Sequence, residues 1–408
     1  MTGAATYGLS RLKQAGVIAL ALAALWLSLA VTIGLVYAKR NPAVALAGWH
    51  SPSAESERAA QQLQQDQHPA ALREAETLAR RALENDPLNV VAVRTLGLAA
   101  SLRGRIDAAR RWFGVAQWMS RRDLPTQLWL IEDAVGQGRI DQSLRHYDYA
   151  LNTWRSAEPM LFPILVGASG QVAIDRPLAI LLSKRPLWWQ RFIDTLISTG
   201  NSPVGVSNLV SAVHLDLRKS DEQQLAARAI QRLFQLDAVP QAFALYRQIS
   251  GNADRGIRNG DFSKANPIPP FDWDLADQAD LYASVIAGPD ARYPRMLHLI
   301  AADGKGGVAA QQLLHLAPGA HSISVLAGGD ATDPARRAHL QIACQNSGNA
   351  QLVDMLFPTG GPSIKPVSSA FTIPTDDCAF QQIHVVLPGS IDGGTSQAWI
   401  TGITVRPD

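Results

Sequence analysis

Strong charge is missing from this sequence, and so are the residue clusters that most chemistry requires. Its 37 basic residues face 35 acidic ones, a net charge of +2, which leaves no basic domain or stripe of the kind that binds nucleic acid. Nine histidines are scattered without an H-x-x-x-H or H-E-x-x-H pair. Neither a G-x-S-x-G elbow nor a G-x-x-x-x-G-K-[ST] phosphate loop occurs. Asp303-Gly304-Lys305-Gly306-Gly307 is rich in glycine but precedes a strand-like segment where a phosphate cradle needs a helix, and it reads as a hairpin loop. Asp376 and Asp377 are neighbours that face opposite ways on extended chain, and they read as a solvated turn. No catalytic residue, cofactor or metal is expected, and the chain does not read as an enzyme.

Cysteine is scarce as well. Only Cys344 and Cys378 are present, outside any C-x-x-C or Cys/His cluster that could hold zinc. Cys344 shares a strand face with Leu340 and Ile342, and Cys378 follows a turn at 374–377 ahead of the strand-like run 380–387. A disulfide between them is expected, with two independent buried thiols as the alternative.

Charge is wholly absent from 16–38, a stretch long enough to cross a hydrocarbon core of about 30 Å. A signal peptide would end at its small-residue cleavage site, whereas Ala45-Leu46-Ala47 lies beyond Lys39 and Arg40. The segment therefore reads as a retained, single-pass transmembrane helix. Arg11 and Lys13 before it are matched by Lys39 and Arg40 after it, so the positive-inside rule gives little bias. A short basic tail at 1–15 favours an N-terminus inside. A polar stretch at 39–67 reads as a juxtamembrane spacer and first helix. The remainder has 47% hydrophobic residues to draw on across the chain, enough for substantial cores.

What is present beyond the spacer is an internal repeat. Gly104-Arg105-Ile106-Asp107 recurs as Gly138-Arg139-Ile140-Asp141, and 138 − 104 gives a period of 34. Leu96 matches Leu130, Phe113 matches Tyr147, Ala116 matches Ala150, and Ala116 reaches back to Ala82 at the same spacing. Ala109, Phe113 and Ala116 lie on one helical face, with Gly97 at the close-approach position of the preceding helix. Over roughly 70–154 this pattern resembles tetratricopeptide repeats, with Ile131 in place of the glycine and Ser143 in place of the alanine. The resemblance implies a polypeptide partner on the repeat region. Helical patterning continues to about residue 250, so 68–250 reads as one α-solenoid. Adjacent Trp188 and Trp189 point about 100° apart on a helix, and a core role is expected for the pair.

At Gly251 the helical period gives way to alternation and Gly/Pro turns. Gln312, Leu314 and Leu316 up to Pro318-Gly319, then His321, Ile323 and Val325, read as a hairpin with one buried face. Leu340, Ile342 and Cys344, then Ile383, Val385 and Leu387, repeat the pattern. Trp399, Thr401, Ile403 and Val405 read as a terminal strand. Residues 251–408 are thus expected to form an antiparallel β-sandwich. The order of Asn259-Gly260-Asp261-Phe262, the 312–319 run and Phe371-Thr372-Ile373-Pro374 resembles a carbohydrate-binding jelly roll of the galactose-binding-like type. The acids through which that family holds a structural calcium are replaced here by Ser263 and Gly402. Phe271 and Trp273, in a proline-bounded loop placed after the first strand, are apolar enough to stack on a pyranose or to plug the end of the sandwich.

The fold class expected is therefore multidomain α plus β: a transmembrane helix, a tetratricopeptide-type solenoid and a C-terminal jelly roll. The combination resembles bacterial envelope proteins of exopolysaccharide or O-antigen production. It implies a single-pass inner-membrane protein with its bulk in the periplasm, binding a polypeptide and a polysaccharide without catalysis. An enzyme or enzyme subunit acting on envelope polysaccharide, or an assembly factor with no glycan role, is the alternative.

Overall fold

A computed structural model describes residues 51–251, 256–264, 268–302, 304–345, 350–390 and 394–408, with isolated positions before residue 47. The expected membrane span at 16–38 lies mostly outside the described residues. Among those described, no helix is long and apolar enough to cross a membrane. The chain divides into two compact units, 1–165 with 172–190, and 166–171 with 191–408. The change from helix to strand comes at Gly251, whereas the change of compact unit comes earlier, within the helical region.

In the first unit, helices pair off along the chain: α1 (Pro52–Gln65) with α2 (Pro69–Asn85), α3 (Val90–Leu102) with α4 (Ile106–Met119), and α5 (Leu124–Gly136) with α6 (Ile140–Thr153). Proline in the first turn of α1, α2 and α5 supplies a preset φ where no amide partner is needed. The recurring Gly-Arg-Ile-Asp is the turn between paired helices. Gly104 and Gly138 have φ of +72° and +68°, a left-handed conformation that a Cβ disfavours. Each glycine N–H donates three residues back, to Ser101 and Val135, and each following arginine N–H donates five residues back, to Ala100 and Ala134. These bonds satisfy the carbonyls left open at the helix end.

The small residues of the repeat sit where helices touch. Ala82, Ala109, Ala116 and Ala150 are completely buried, with Leu96, Phe113 and Tyr147 packed beside them. A Cβ on Gly97 would meet the Phe113 ring at 3.0 Å, and that ring stacks on Trp129 with centroids 4.3 Å apart. The two rings leave no room to retreat. Gly97→Val is therefore expected to cost about 1–3 kcal/mol by overpacking. Urea unfolding followed by helical circular dichroism measures it, and an unchanged midpoint would show that the helices separate freely. Trp188 is also fully buried, its Nε1–H donating to Asp148 at 3.0 Å, while Trp189 lies under the Arg185 guanidinium.

The helical series continues with α7 (Glu158–Ala168), α8 (Val172–Leu182), α9 (Trp189–Thr199), α10 (Pro203–Ala212), α11 (Ser220–Gln235) and α12 (Val239–Ser250). Gly251 ends α12 in a left-handed cap with φ +63°.

Two five-stranded antiparallel sheets follow in the second unit. The strands are β1 (Asp274–Leu275), β2 (Leu281–Ala287), β3 (Arg295–Ala301), β4 (Gly307–Leu314), β5 (Gly319–Gly329), β6 (His339–Cys344), β7 (Gln351–Leu356), β8 (Lys365–Ile373), β9 (Gln381–Leu387) and β10 (Ser396–Pro407). The first sheet runs β1-β4-β9-β6-β7 and the second β2-β3-β10-β5-β8. Between them lies an apolar core that includes Leu297, Leu299, Ile323, Val325, Leu340, Ile342, Ile383 and Val385.

Four local expectations are corrected. The segments around Pro318-Gly319 and Gly304–Gly307 are not hairpins, because β4 belongs to the first sheet while β3 and β5 belong to the second; each carries the chain across the sandwich. Asp303 itself lies outside the described residues. The segment 268–273 precedes the first strand, since Asn259-Gly260-Asp261-Phe262 forms a turn. The inward face of β10 is Ala398 and Ile400, then Ile403. A register shift between Thr401 and Thr404, with Gly402 at φ +62°, inserts a bulge that switches the alternation.

Cys344 at the end of β6 and Cys378 ahead of β9 form a disulfide, with Cα atoms 5.0 Å apart. The free-thiol alternative is thereby excluded. Both residues are buried in the sandwich core, and the bridge staples two neighbouring strands of the first sheet.

Candidate functional site

Phe271 and Trp273 sit on one short segment but face different surroundings. Phe271 has no exposed surface. Its ring lies 5.7, 5.4 and 5.1 Å from those of Phe234, Phe243 and Tyr246, so the last two helices and the segment entering the sandwich share an aromatic core. Arg258 locks that core. It is 4% exposed, its Nε donates to the Phe271 carbonyl at 2.7 Å, a second nitrogen donates to the Leu313 carbonyl at 3.0 Å, and its guanidinium lies over the Tyr246 ring at 4.6 Å. The Tyr246 hydroxyl donates to Asp272, and burial together with that carboxylate pushes the phenol well above its ordinary value. Phe271 offers no face to a ligand.

Trp273 is 3% exposed and packs on Phe262 with centroids 5.5 Å apart. It lines a cleft of about 340 Å³ together with Asn259, Ser263, Lys264, Leu275, Val285 and Arg295. Gly260 beneath the cleft loop is required sterically, because a Cβ there would strike the Ile403 carbonyl, to whose residue it is already joined by an Ile403 N–H bond of 3.0 Å.

The outer face of the first sheet was not singled out from the sequence. Directly paired residues in an antiparallel sheet point to the same side. The pairings Asp274 to Gln311, Gln311 to His384, His384 to Gln341 and Gln341 to Asp354 therefore set five polar side chains in one row across all five strands. At roughly 4.8 Å per strand the row spans about 19 Å. The Gln311 amide donates to Asp274 at 3.0 Å, and the Gln382 amide donates to Gln311 at 3.2 Å. Asp274 and Gln311 are thus held in place by their neighbours. His384 Nε2 is buried without a partner among the described residues. Burial pushes the imidazole below its ordinary value, so it is neutral near pH 7.

Beside this row the pairings Val308 to Val386, Val386 to His339 and His339 to Leu356 form a second row. Its ends are open to solvent, with Val308 39% and Leu356 41% exposed. The face thus presents a strip of amide, carboxylate and neutral imidazole next to a strip in which His339 stands among Val308, Val386 and Leu356, and neither row contains lysine or arginine. It can accept and donate hydrogen bonds over a length greater than one sugar ring while covering an apolar flank. Among the described residues no cluster of His, Cys, Asp and Glu could hold a metal ion.

The signal for this face lay in the outward positions of β4, β6 and β9, where Gln311, Gln341 and Gln382 alternate with buried residues. Their alignment depends on cross-strand register between segments far apart in sequence.

No family model matches the chain, and no curated protein matches it. Among solved structures the chain is similar to a CBM4 carbohydrate-binding module at 20% identity, over 37% of this chain and 99% of that one, with a TM-score of 0.29. It is also similar to TmCBM61, solved in complex with β-1,4-galactotriose, at 13% identity over 38% and 97% of the two chains, TM-score 0.26. A third similarity is to the CBM22-1 xylan-binding domain of Paenibacillus barcinonensis Xyn10C, at 11% identity over 33% and 84%, TM-score 0.23.

Proposed function

We propose that the C-terminal sandwich binds a neutral polysaccharide chain across the outer face of the first sheet. The observation that carries this reading is the aligned row Asp274, Gln311, His384, Gln341 and Asp354 beside the row in which Val308, Val386 and Leu356 supply apolar surface around His339. A pyranose has equatorial hydroxyls that both donate and accept and a C–H face that is apolar. The two rows offer the complement of each, and with two carboxylates and no lysine or arginine in them an anionic ligand is disfavoured.

In this reading the protein is a non-catalytic scaffold of the bacterial cell envelope, anchored through 16–38 with its bulk in the periplasm. The tetratricopeptide-like helices hold a polypeptide partner, and the sandwich holds the product of an exopolysaccharide or related pathway. The uncharged N-terminal segment, the helical repeat and the polar row support it.

The test is retention of neutral β-linked oligosaccharides by the full chain and by its Q341A and Q382A variants. Each lost amide contact is expected to weaken binding several-fold, and the pair about tenfold or more, with the melting temperature unchanged. Failure of every oligosaccharide in the panel to bind, or binding indifferent to both substitutions, would remove the proposal.

A further inference from the structure

The cleft at the edge of the sandwich has a chemistry opposite to that of the outer face. It opens where β1 and β2 are the outermost strands of their sheets, and it is lined by Phe262, Trp273, Leu275 and Val285 on the apolar side, and by Asn259, Ser263, Lys264 and Arg295 on the polar side. Its volume of about 340 Å³ falls in the range of small-molecule sites. Val285 is 39% exposed, an apolar wall facing open space.

The polar groups divide into those already engaged and those that are not. Asn259 spends its side chain on the loop, accepting from the Lys264 N–H at 2.8 Å and donating to the Lys264 carbonyl at 3.1 Å. The Ser263 hydroxyl donates to Asp261 at 2.9 Å. Lys264 and Arg295 are exposed and line the cleft, and among the described residues neither forms an ion pair with an acidic side chain. The unengaged groups open to the cleft are therefore both cations. A ligand that matches them carries acceptor oxygens and negative charge at one end, and an apolar ring face or alkyl body at the other.

The geometry points to a second binding site here, for a single carboxylate-bearing sugar of the uronate class. The carboxylate lies between Lys264 and Arg295, and the C–H face of the ring lies on Val285 and Leu275. The site is separate from the outer face of the first sheet and does not depend on the reading given for that face.

Saturation-transfer NMR and calorimetry on the full chain, with D-glucuronate, D-glucose and glucose 6-phosphate as probes, test it. D-Glucuronate is expected to bind and D-glucose to bind at least tenfold more weakly. Lys264→Ala and Arg295→Ala, both at exposed positions, are each expected to weaken D-glucuronate about tenfold, the effect of losing one charge-assisted bond. Q341A and Q382A are expected to leave it unchanged, which keeps this site distinguishable from the sheet face. No binding of D-glucuronate, equal binding of D-glucose, binding of the phosphate ester alone, or indifference to both charge removals would overturn the assignment.

Discussion

Replacing Phe271 by alanine is expected to destabilise the second compact unit by about 3–5 kcal/mol, the range for truncating a buried phenylalanine where the surroundings cannot collapse. Collapse is unfavourable here because Phe243 is also packed on His315 and Phe380, Tyr246 is bonded to Asp272, and Arg258 is pinned to the Phe271 carbonyl. Aromatic pairing adds to the loss beyond the area exposed. The cavity lies where the last helices meet the segment leading into the sandwich, so α11, α12 and the sheets should lose stability together. Guanidinium unfolding followed by hydrogen exchange at amides of α11, α12 and the strands reads this directly. A loss below about 1 kcal/mol, or helical and sheet transitions that are already separate in the parent protein, would show that the ring cluster does not join these parts.

Reduction of the Cys344–Cys378 bridge is expected to cost about 3–4 kcal/mol in the chain-entropy account, given a separation of 34 residues. The bridge crosses from the end of β6 to the approach of β9, which are hydrogen-bonded neighbours in the first sheet, so the loss falls on the sheet that carries the polar row. Equilibrium unfolding with and without reductant, paired with a C344S/C378S variant, measures it. Alkylation before and after reduction of the unfolded chain should label the cysteines only after reduction. Labelling without reductant would end the argument, and equal midpoints in the two conditions would limit the bridge to a packing role.

The helical repeat was legible because its most constrained residues are also its most recognisable. A left-handed turn demands glycine, so Gly104 and Gly138 recur at the period of the helix pairs, and helix crossings demand small side chains, so Ala82, Ala109, Ala116 and Ala150 recur with them. The strands were legible through alternation, which reports that one face is buried but not which sheet supplies the partner. That is why the chain at Pro318-Gly319 read as a hairpin when it crosses the sandwich. Alternation also fails wherever a bulge resets it, and Gly402 does so in β10. Phe271 and Trp273 read alike because residue type alone does not show that one is sealed among three rings and the other lines a cleft. The polar row needed five strands in register, and its members lie from 274 to 384 along the chain.

The repeated turn is also a seam at which the chain can be recombined without a scar. Because Gly104-Arg105-Ile106-Asp107 and Gly138-Arg139-Ile140-Asp141 are identical in sequence and share one backbone geometry, excising residues 105–138 joins Gly104 to Arg139 and rebuilds the same four residues and the same cap. Duplicating that stretch does likewise. The helical region can therefore shorten or lengthen by whole helix pairs during descent, at a junction where no new loop has to be invented.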